Sequence, residues 1–138
     1  MTKEQLRNYR NIKLEHDRLT VMIAELENTL YSPKSQRLDG MPRGSSGGSV
    51  VESAAIKHAD LMANYRQKAA ELSAALAEIE DAIEVLEPRE RTLIRLHYAQ
   101  GLTWEEVCVA MNYSWRQIHR IHAKALAALE NEKKERTA

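Results

Sequence analysis

The 138-residue sequence is poor in several residue types whose abundance marks particular classes of protein. Its single cysteine, Cys108, excludes an intramolecular disulfide framework and is typical of a reducing cytoplasm, where we expect the protein to be. No run of about 18 apolar residues occurs, so we expect no membrane span. The charged N-terminus lacks the apolar stretch of a secretory signal. Phenylalanine is absent while Leu, Ile, Ala and Glu dominate, which favours helices over sheet.

Charge is balanced overall, with 20 basic and 20 acidic residues, but it is unevenly distributed. Residues 51–87 carry three basic and eight acidic side chains, whereas residues 88–138 carry nine basic and six acidic ones. The acidic segment would repel DNA, and the basic C-terminal segment would attract it. The neutral total therefore does not exclude a nucleic-acid partner.

Two stretches have the 3-4 spacing of apolar residues that is typical of a coiled-coil face. The first lies within residues 1–31, and its positions are Tyr9, Ile12, His16, Leu19, Ile23, Leu26 and Leu30. The second lies within residues 51–87, and its positions are Val51, Ala55, His58, Met62, Tyr65, Ala69, Leu72, Leu76, Ile79, Ile83 and Leu86. We predict two long helices that pack on each other, on a second copy of the chain, or on both.

Residues 32–50 separate these helices, and we predict that they form a flexible linker. The segment contains the turn-forming stretch SPKSQRLDGMPRGSSGGS, with two prolines and several glycines. Since Pro33 and Pro42 are incompatible with a helix interior, the first helix should end near Tyr31.

Three short helices are predicted in residues 88–130, followed by a charged tail at residues 131–138. Pro88 suits the first turn of a helix. Thr103 followed by Glu106, and Ser114 followed by Gln117, have the spacing of capping boxes that begin the next two helices. The expected fold class is therefore all-α, with a long antiparallel helical hairpin or coiled coil followed by a three-helix domain.

The last two of these helices fit the packing pattern of a helix-turn-helix. Cys108 is the small residue where the helices cross, and Asn112 is the turn residue, which tolerates a left-handed backbone. Apolar side chains that would lock the pair are Val107, Met111, Tyr113, Ile118 and Ile121.

The last helix then presents a polar face near its beginning. With Ile118, Ile121, Ala125 and Leu126 turned inward, the exposed residues are Trp115, Arg116, Gln117, His119, Arg120 and His122. Early residues of such a helix read base edges in the major groove, where Arg suits guanine and Gln suits adenine. Lys124, one turn later, suits a phosphate. The alternative is a solvated helix face, for which an exposed Trp beside arginines is unusual.

The same segment resembles region 4 of bacterial sigma factors over about 45 residues. The resemblance is carried by PRERTLIRLHYAQGLTWEEV (residues 88–107) and by the run I-x-x-I-x-A-K-A-L from Ile118 to Leu126. It implies that the last helix reads DNA as sigma factors read the −35 promoter element. Implied base readers are Trp115, Arg116, His119 and Arg120, and implied DNA-backbone contacts are Arg89, Thr103, Trp104 and Lys124. Several readers differ from those of the family, so we expect a different target sequence.

The layout of the whole chain resembles small proteins of phages and mobile elements of Gram-positive bacteria, including ArpU/RinA-type phage transcription regulators. This resemblance implies a transcription activator. The resemblance to region 4 also implies a contact with RNA polymerase. No segment resembles the promoter-melting region of a full sigma factor, so we do not expect this chain to open a promoter alone.

Other functions find less support. His119 and His122 are spaced for one face, but they lack further ligands, so no metal and no cofactor is expected. Cys108 fits a structural role. No catalytic constellation is present, and we predict that the protein is not an enzyme. Two alternatives stay open: a DNA-packaging protein like the small terminase subunits of phages, and a protein-binding module that has lost DNA binding.

Overall fold

Helices account for nearly all of the residues that the computed structural model describes, which are residues 1–31 and 46–137. In these residues the structure has no strand and has five α-helices. They are α1 (Lys3–Tyr31), α2 (Ser46–Ala82), α3 (Pro88–Ile94), α4 (Trp104–Met111) and α5 (Trp115–Thr137). A 3-10 turn, Ile83–Val85, follows α2, and a π-helical segment, Arg95–Ala99, continues α3. The predicted all-α class is confirmed.

The structure describes α1 as far as Tyr31, and α2 begins earlier than predicted. Residues 46–50, which we assigned to the linker, belong to α2. The first hydrogen bond of a helix requires three residues to be fixed, whereas each later one requires only one, so an established helix can extend into a segment of weak propensity. The rest of the predicted linker, residues 32–45, lies outside the described residues.

The chain divides into two compact units. The first comprises Met1–Leu14 together with Ala70–Ala138, and the second is Glu15–Ala69. The start of α1 and the end of α2 thus pack with the C-terminal helices. Among the described residues, no helix combines the length and the apolar character that a membrane span requires.

In the second unit, α1 and α2 form an antiparallel pair. Late residues of α1 contact early residues of α2, since Glu27 Oε1 lies 2.9 Å from His58 Nε2. Earlier in α1, Glu15 Oε2 lies 3.1 Å from Lys68 Nζ. These contacts confirm the predicted helical hairpin.

The two histidines of the predicted seams are half-buried, and each has a partner. The ring of His16 lies 4.8 Å from the ring of Tyr65, centroid to centroid. His58 is bound to Glu27 as described above. They are therefore polar positions with specific contacts within the hairpin.

The predicted seam of α1 is confirmed, because all seven of its side chains are buried or half-buried. In α2 the prediction was partly wrong. Leu76 is 38% exposed and Val51 is exposed, whereas Leu61 is buried and Ala75 is half-buried. This error arises because α2 contains many adjacent apolar and small residues, so its sequence is compatible with two neighbouring heptad registers.

The core of the first unit joins the start of α1 to the C-terminal helices. Leu6 and Tyr9 of α1 are buried there, although Leu6 does not belong to the predicted seam. Other buried members are Leu72, Ile79, Ile83, Leu86, Leu93, Ile94, Tyr98, Val107, Ile118, Ile121, Ala125 and Leu129. At about 25 cal/mol per Å² of apolar surface, burying a core side chain such as Leu6 contributes about 1.5–3 kcal/mol. The first turns of α1 therefore help to hold the C-terminal domain.

Candidate nucleic-acid interface

The turn between α4 and α5 has the geometry of a helix-turn-helix. Asn112 ends α4 with φ 57° and ψ 43°, and it is the one non-glycine residue with positive φ among the described residues. The N–H of Tyr113 donates to the carbonyl of Cys108 over 3.2 Å, which closes the turn. Val107 and Ile118 are fully buried on either side. The predicted turn residue and apolar lock are confirmed.

Both predicted capping boxes are present. At α4, Glu106 N donates to Thr103 Oγ1 over 3.2 Å, and Thr103 N donates to Glu106 Oε1 over 3.1 Å. At α5, Gln117 N donates to Ser114 Oγ over 3.3 Å, and Ser114 N donates to Gln117 Oε1 over 2.9 Å. These bonds satisfy backbone donors that no helical carbonyl reaches, so both helix starts are fixed.

A related contact at α3 was missed. The N–H of Glu87 donates to Glu90 Oε2 over 3.3 Å, just before Pro88. Glu is an uncommon N-cap residue, so the usual preference for Ser, Thr, Asp or Asn gave no signal there.

The first turns of α5 present most of the predicted reading residues to solvent. Trp115 is 52% exposed, and Arg116, Gln117 and Arg120 are also exposed. Arg116 and Arg120 are four residues apart on the helix, so their side chains share one face. Arg116 and Arg120 make no recorded ion pair with the residues that the structure describes. Both guanidinium groups are therefore available to a ligand.

Gln117 and His119 are less free than their predicted role requires. The Gln117 carbonyl oxygen already accepts the capping hydrogen bond from Ser114, so recognition of adenine by both atoms of the amide would compete with the cap. His119 is half-buried, with its ring 4.5 Å from Trp115 and 5.1 Å from Trp104. Their assignment as base readers remains a prediction.

The expectation that His122 is exposed was wrong. His122 is 7% exposed, and its Nε2 lies 2.6 Å from the hydroxyl of buried Tyr98. Burial lowers the pKa of His122 to about 4, and the nearby positive charges of Lys3 and Arg7 act in the same direction. The buried face of α5 is therefore wider than its apolar residues indicate, because it includes His122. Among the described residues there is also no group of three or more metal-ligating side chains.

Next to this pair, Trp104 and His97 form a stack. Their ring centroids are 3.7 Å apart and their planes are inclined by 16°. His97 Nδ1 donates to the carbonyl of Leu102 over 2.8 Å, and burial lowers the pKa of His97 to about 4. Sequence reasoning missed His97 and Tyr98; a signal was available, since a buried Tyr hydroxyl needs a polar partner.

The four residues that are predicted to contact the DNA backbone fall into two pairs. Thr103 is exposed and caps α4, while Trp104 is half-buried in the stack with His97. Arg89 and Lys124 are exposed, and both approach one carboxylate. Arg89 Nε lies 3.8 Å from Glu87 Oε2, and Lys124 Nζ lies 3.7 Å from Glu87 Oε1. Such long, solvent-exposed ion pairs contribute little stability, so both cations can exchange Glu87 for another anion.

The start of α1 supports the turn before α4. Arg10 Nε donates to the carbonyl of His97 over 3.2 Å, and Arg10 Nη2 donates to the carbonyl of Gly101 over 3.3 Å. Gly101 has φ 81°, and a Cβ there would lie 3.4 Å from Leu14 Cδ2. A glycine is favoured at this position, because other L-residues are strained at such a φ. No local pattern in the sequence indicates this contact between α1 and the turn.

Comparison with known protein families matches residues 82–131 to Sigma-70, region 4. The matched residues run from the last residue of α2 into the second half of α5 and include both helices of the helix-turn-helix. This part of the chain is therefore a region 4-like helix-turn-helix domain, a class of domain that binds DNA and is not catalytic. Searches of the curated proteins and of the solved structures give no match to the chain.

Proposed function

We propose that this protein is a sequence-specific DNA-binding transcription regulator. One observation carries the proposal: a helix-turn-helix with a left-handed Asn112 presents Trp115, Arg116 and Arg120 at the start of a capped α5. Side chains at this position of a recognition helix reach base edges in the major groove. The match to Sigma-70, region 4 supports the same class of ligand.

The exposed side chains have distinct roles in this proposal. Arg116 and Arg120 bind guanine through two donors each, and Trp115 packs on a thymine methyl group. Arg89 and Lys124 bind DNA phosphates in place of Glu87. Thr103 and Trp104, at the start of α4, lie beside the DNA backbone. Phosphate contacts fix the position of the protein on DNA, and the base contacts select the sequence.

The biological setting is a finer proposal that rests on the resemblances described above. We infer that the protein activates phage or mobile-element genes and that it contacts RNA polymerase as region 4 of a sigma factor does. A pull-down of RNA polymerase by the full chain, with and without its DNA site, tests the second point. Transcription from a promoter that contains that site tests the first, and a decrease in transcript would make the protein a repressor.

The experiment for DNA binding compares two single substitutions in α5 on a duplex selected by the purified protein. Arg120→Ala removes an arginine from the reading face, and we expect affinity to fall by about 1–3 kcal/mol with relaxed preference at one base pair. Arg136→Ala is the matched control, because Arg136 is on the same helix near its end and pairs with Glu132. We expect that control to bind as the wild type does. Equal affinities for all three proteins would reject the assigned reading face.

Two further outcomes would favour the alternatives. A protein-binding module without DNA function predicts no salt-dependent binding to any duplex, whereas phosphate contacts predict affinity that falls steeply with salt. A small terminase-like packaging protein predicts a ring of many subunits on size-exclusion chromatography with light scattering.

We also propose that the long helices form a homodimer. Apolar side chains at the start of α2 are exposed in the single chain, among them Val50, Val51 and Ile56. Burial of these side chains against a second copy would stabilise the pair. Analytical ultracentrifugation of the wild type and of an Ile56→Glu variant tests this: we expect a dimer that the substitution weakens, and a monomeric wild type would contradict it.

A further inference from the structure

The first unit contains a positively charged pocket that the helix-turn-helix alone does not account for. Lys3, Arg7 and Arg10 follow one another at intervals of four and three residues, so they lie on one face of α1. They line a pocket of about 320 Å³. Its remaining lining residues are Asn11, His97, Tyr98, Trp104, His119 and His122.

The positive charge in this pocket has no acidic lining residue beside it within the described residues, although Arg10 interacts electrostatically with Glu106 outside the lining. In the part of the chain that the structure describes, no carboxylate lines the pocket, and neither Lys3 nor Arg7 makes an ion pair there. Among residues 1–31 and 46–137, Arg10 donates only to the carbonyl oxygens of His97 and Gly101. A guanidinium carries five N–H donors, so Arg10 keeps further donors for a ligand. The three neighbouring cations repel one another, and an anion in the pocket would relieve that repulsion.

A buried polar atom at the same place lacks a partner. His119 Nε2 is inaccessible and has no hydrogen bond, which makes it the one such side-chain atom among the described residues. Buried polar groups are nearly always hydrogen-bonded in folded proteins, and an exception calls for an explanation. His119 lies beside Trp104 and lines the pocket. A small movement of its ring would offer Nε2 to a group bound there.

We propose that this pocket binds a phosphate group, held by Lys3, Arg7 and Arg10. Phosphate carries more negative charge than a carboxylate and has several acceptor oxygens, which suits three cations and the donors of two guanidinium groups. The volume is at the lower end of that found for small-molecule sites, so a phosphate group or a small phosphorylated molecule fits. The pocket also includes Trp104 and His119, next to the proposed DNA-reading face. The phosphate therefore comes either from such a molecule or from the DNA backbone, and the second source rests on the proposed function.

The test uses the full chain and two glutamine substitutions in α1. Arg7→Gln removes one pocket cation; Arg7 is exposed and makes no recorded ion pair in the part of the chain that the structure describes, so the fold should be retained. Arg18→Gln is the control, because it makes the same change on α1 outside the pocket. Thermal denaturation is measured with inorganic phosphate and with pyrophosphate, against sodium chloride at equal ionic strength. DNA affinity is measured for each protein as a function of salt.

A free phosphorylated ligand predicts that phosphate or pyrophosphate raises the Tm of the wild type and of Arg18→Gln, and that Arg7→Gln removes the increase. A backbone phosphate predicts no such increase; instead Arg7→Gln reduces the slope of log affinity against log salt by about one, with sequence preference unchanged. Arg7→Gln and Arg18→Gln behaving alike in both assays would overturn the proposal. If the chain binds no DNA at all, the thermal assay alone decides, so failure of the proposed function and failure of the pocket can be told apart.

Discussion

Acidification should destabilise the first unit through its two buried histidines, His97 and His122. Burial lowers the pKa of each from its ordinary value of 6.5 to about 4. The neutral forms are the ones that the fold accommodates, since one ring stacks on Trp104 and the other meets the Tyr98 hydroxyl. Below pH 6.5 the unfolded chain takes up protons at these histidines while the folded chain does not, so unfolding becomes more favourable.

The size of this effect follows from the two pKa values. A pKa difference of one corresponds to about 1.4 kcal/mol. Each histidine therefore contributes about 3 kcal/mol of stability above pH 6.5, which is lost as the pH falls to 4. At pH 5 the loss is about 2 kcal/mol for each, or about 4 kcal/mol together. That is a large part of the 5–15 kcal/mol by which a typical domain is stable.

Measurements between pH 7.5 and pH 5 distinguish the effect of protonating the buried histidines from the effect of protonating carboxylates. Hydrogen bonds from Arg95 and Thr103 lower the pKa values of Glu80 and Glu106, respectively, from 4.5, so the stability from these carboxylates is retained above pH 4.5 and lost only below it. Between pH 7.5 and pH 5 the change in stability reports mainly on the buried histidines.

The assay is urea denaturation followed by circular dichroism at pH 7.5, 6.5, 5.5 and 5.0. His122→Gln is the informative variant, because a Gln does not titrate and can still bond to Tyr98. Its absolute stability will differ, but its loss between pH 7.5 and pH 5.0 should be about half that of the wild type. A free energy of unfolding that is constant over this interval, or an equal loss in both proteins, would refute the reasoning.

Two further substitutions test the local geometry by the same denaturation measurement at pH 7.5. Asn112→Val should lower the free energy of unfolding by about 1–2 kcal/mol, because a β-branched residue is strained at φ 57°. Asn112→Gly should leave it nearly unchanged. Equal stability of the Val and Gly variants would contradict the left-handed turn. Tyr98→Phe should cost about 1–3 kcal/mol, because it leaves His122 Nε2 buried without its partner. A loss below about 0.5 kcal/mol would show that this hydrogen bond contributes no more than an exposed one.

Much of the fold could be predicted because local rules and the hydrophobic pattern agree. A short stretch of sequence was enough to predict each of three features: the capping boxes at Thr103 and Ser114, the left-handed conformation of Asn112, and the seam of α1. The register of α2 could not be predicted as reliably, because adjacent apolar residues such as Leu61 and Met62 fit two seams. Packing against a partner helix decides between them, and a single helix sequence does not contain that information.

The candidate site was predicted only on its solvent-facing side. Charge and exposure at Arg116 and Arg120 follow from the helical period. The buried polar pair of Tyr98 and His122 did not, because a rule that assigns apolar residues inward places a histidine outside. The hydrogen bonds from Arg10 of α1 to His97 and Gly101 join residues about 90 positions apart, and no local sequence pattern indicates such a contact.

The central claim is that the start of α5 reads a DNA sequence. Selection of duplexes from a random pool by the purified full chain, followed by sequencing, tests it most directly. We predict an enriched motif of a few base pairs, in which Arg120→Ala loses the preference at one guanine while Arg136→Ala retains the whole motif. An unenriched pool, or an identical motif with Arg116 and Arg120 both replaced by alanine, would contradict the claim.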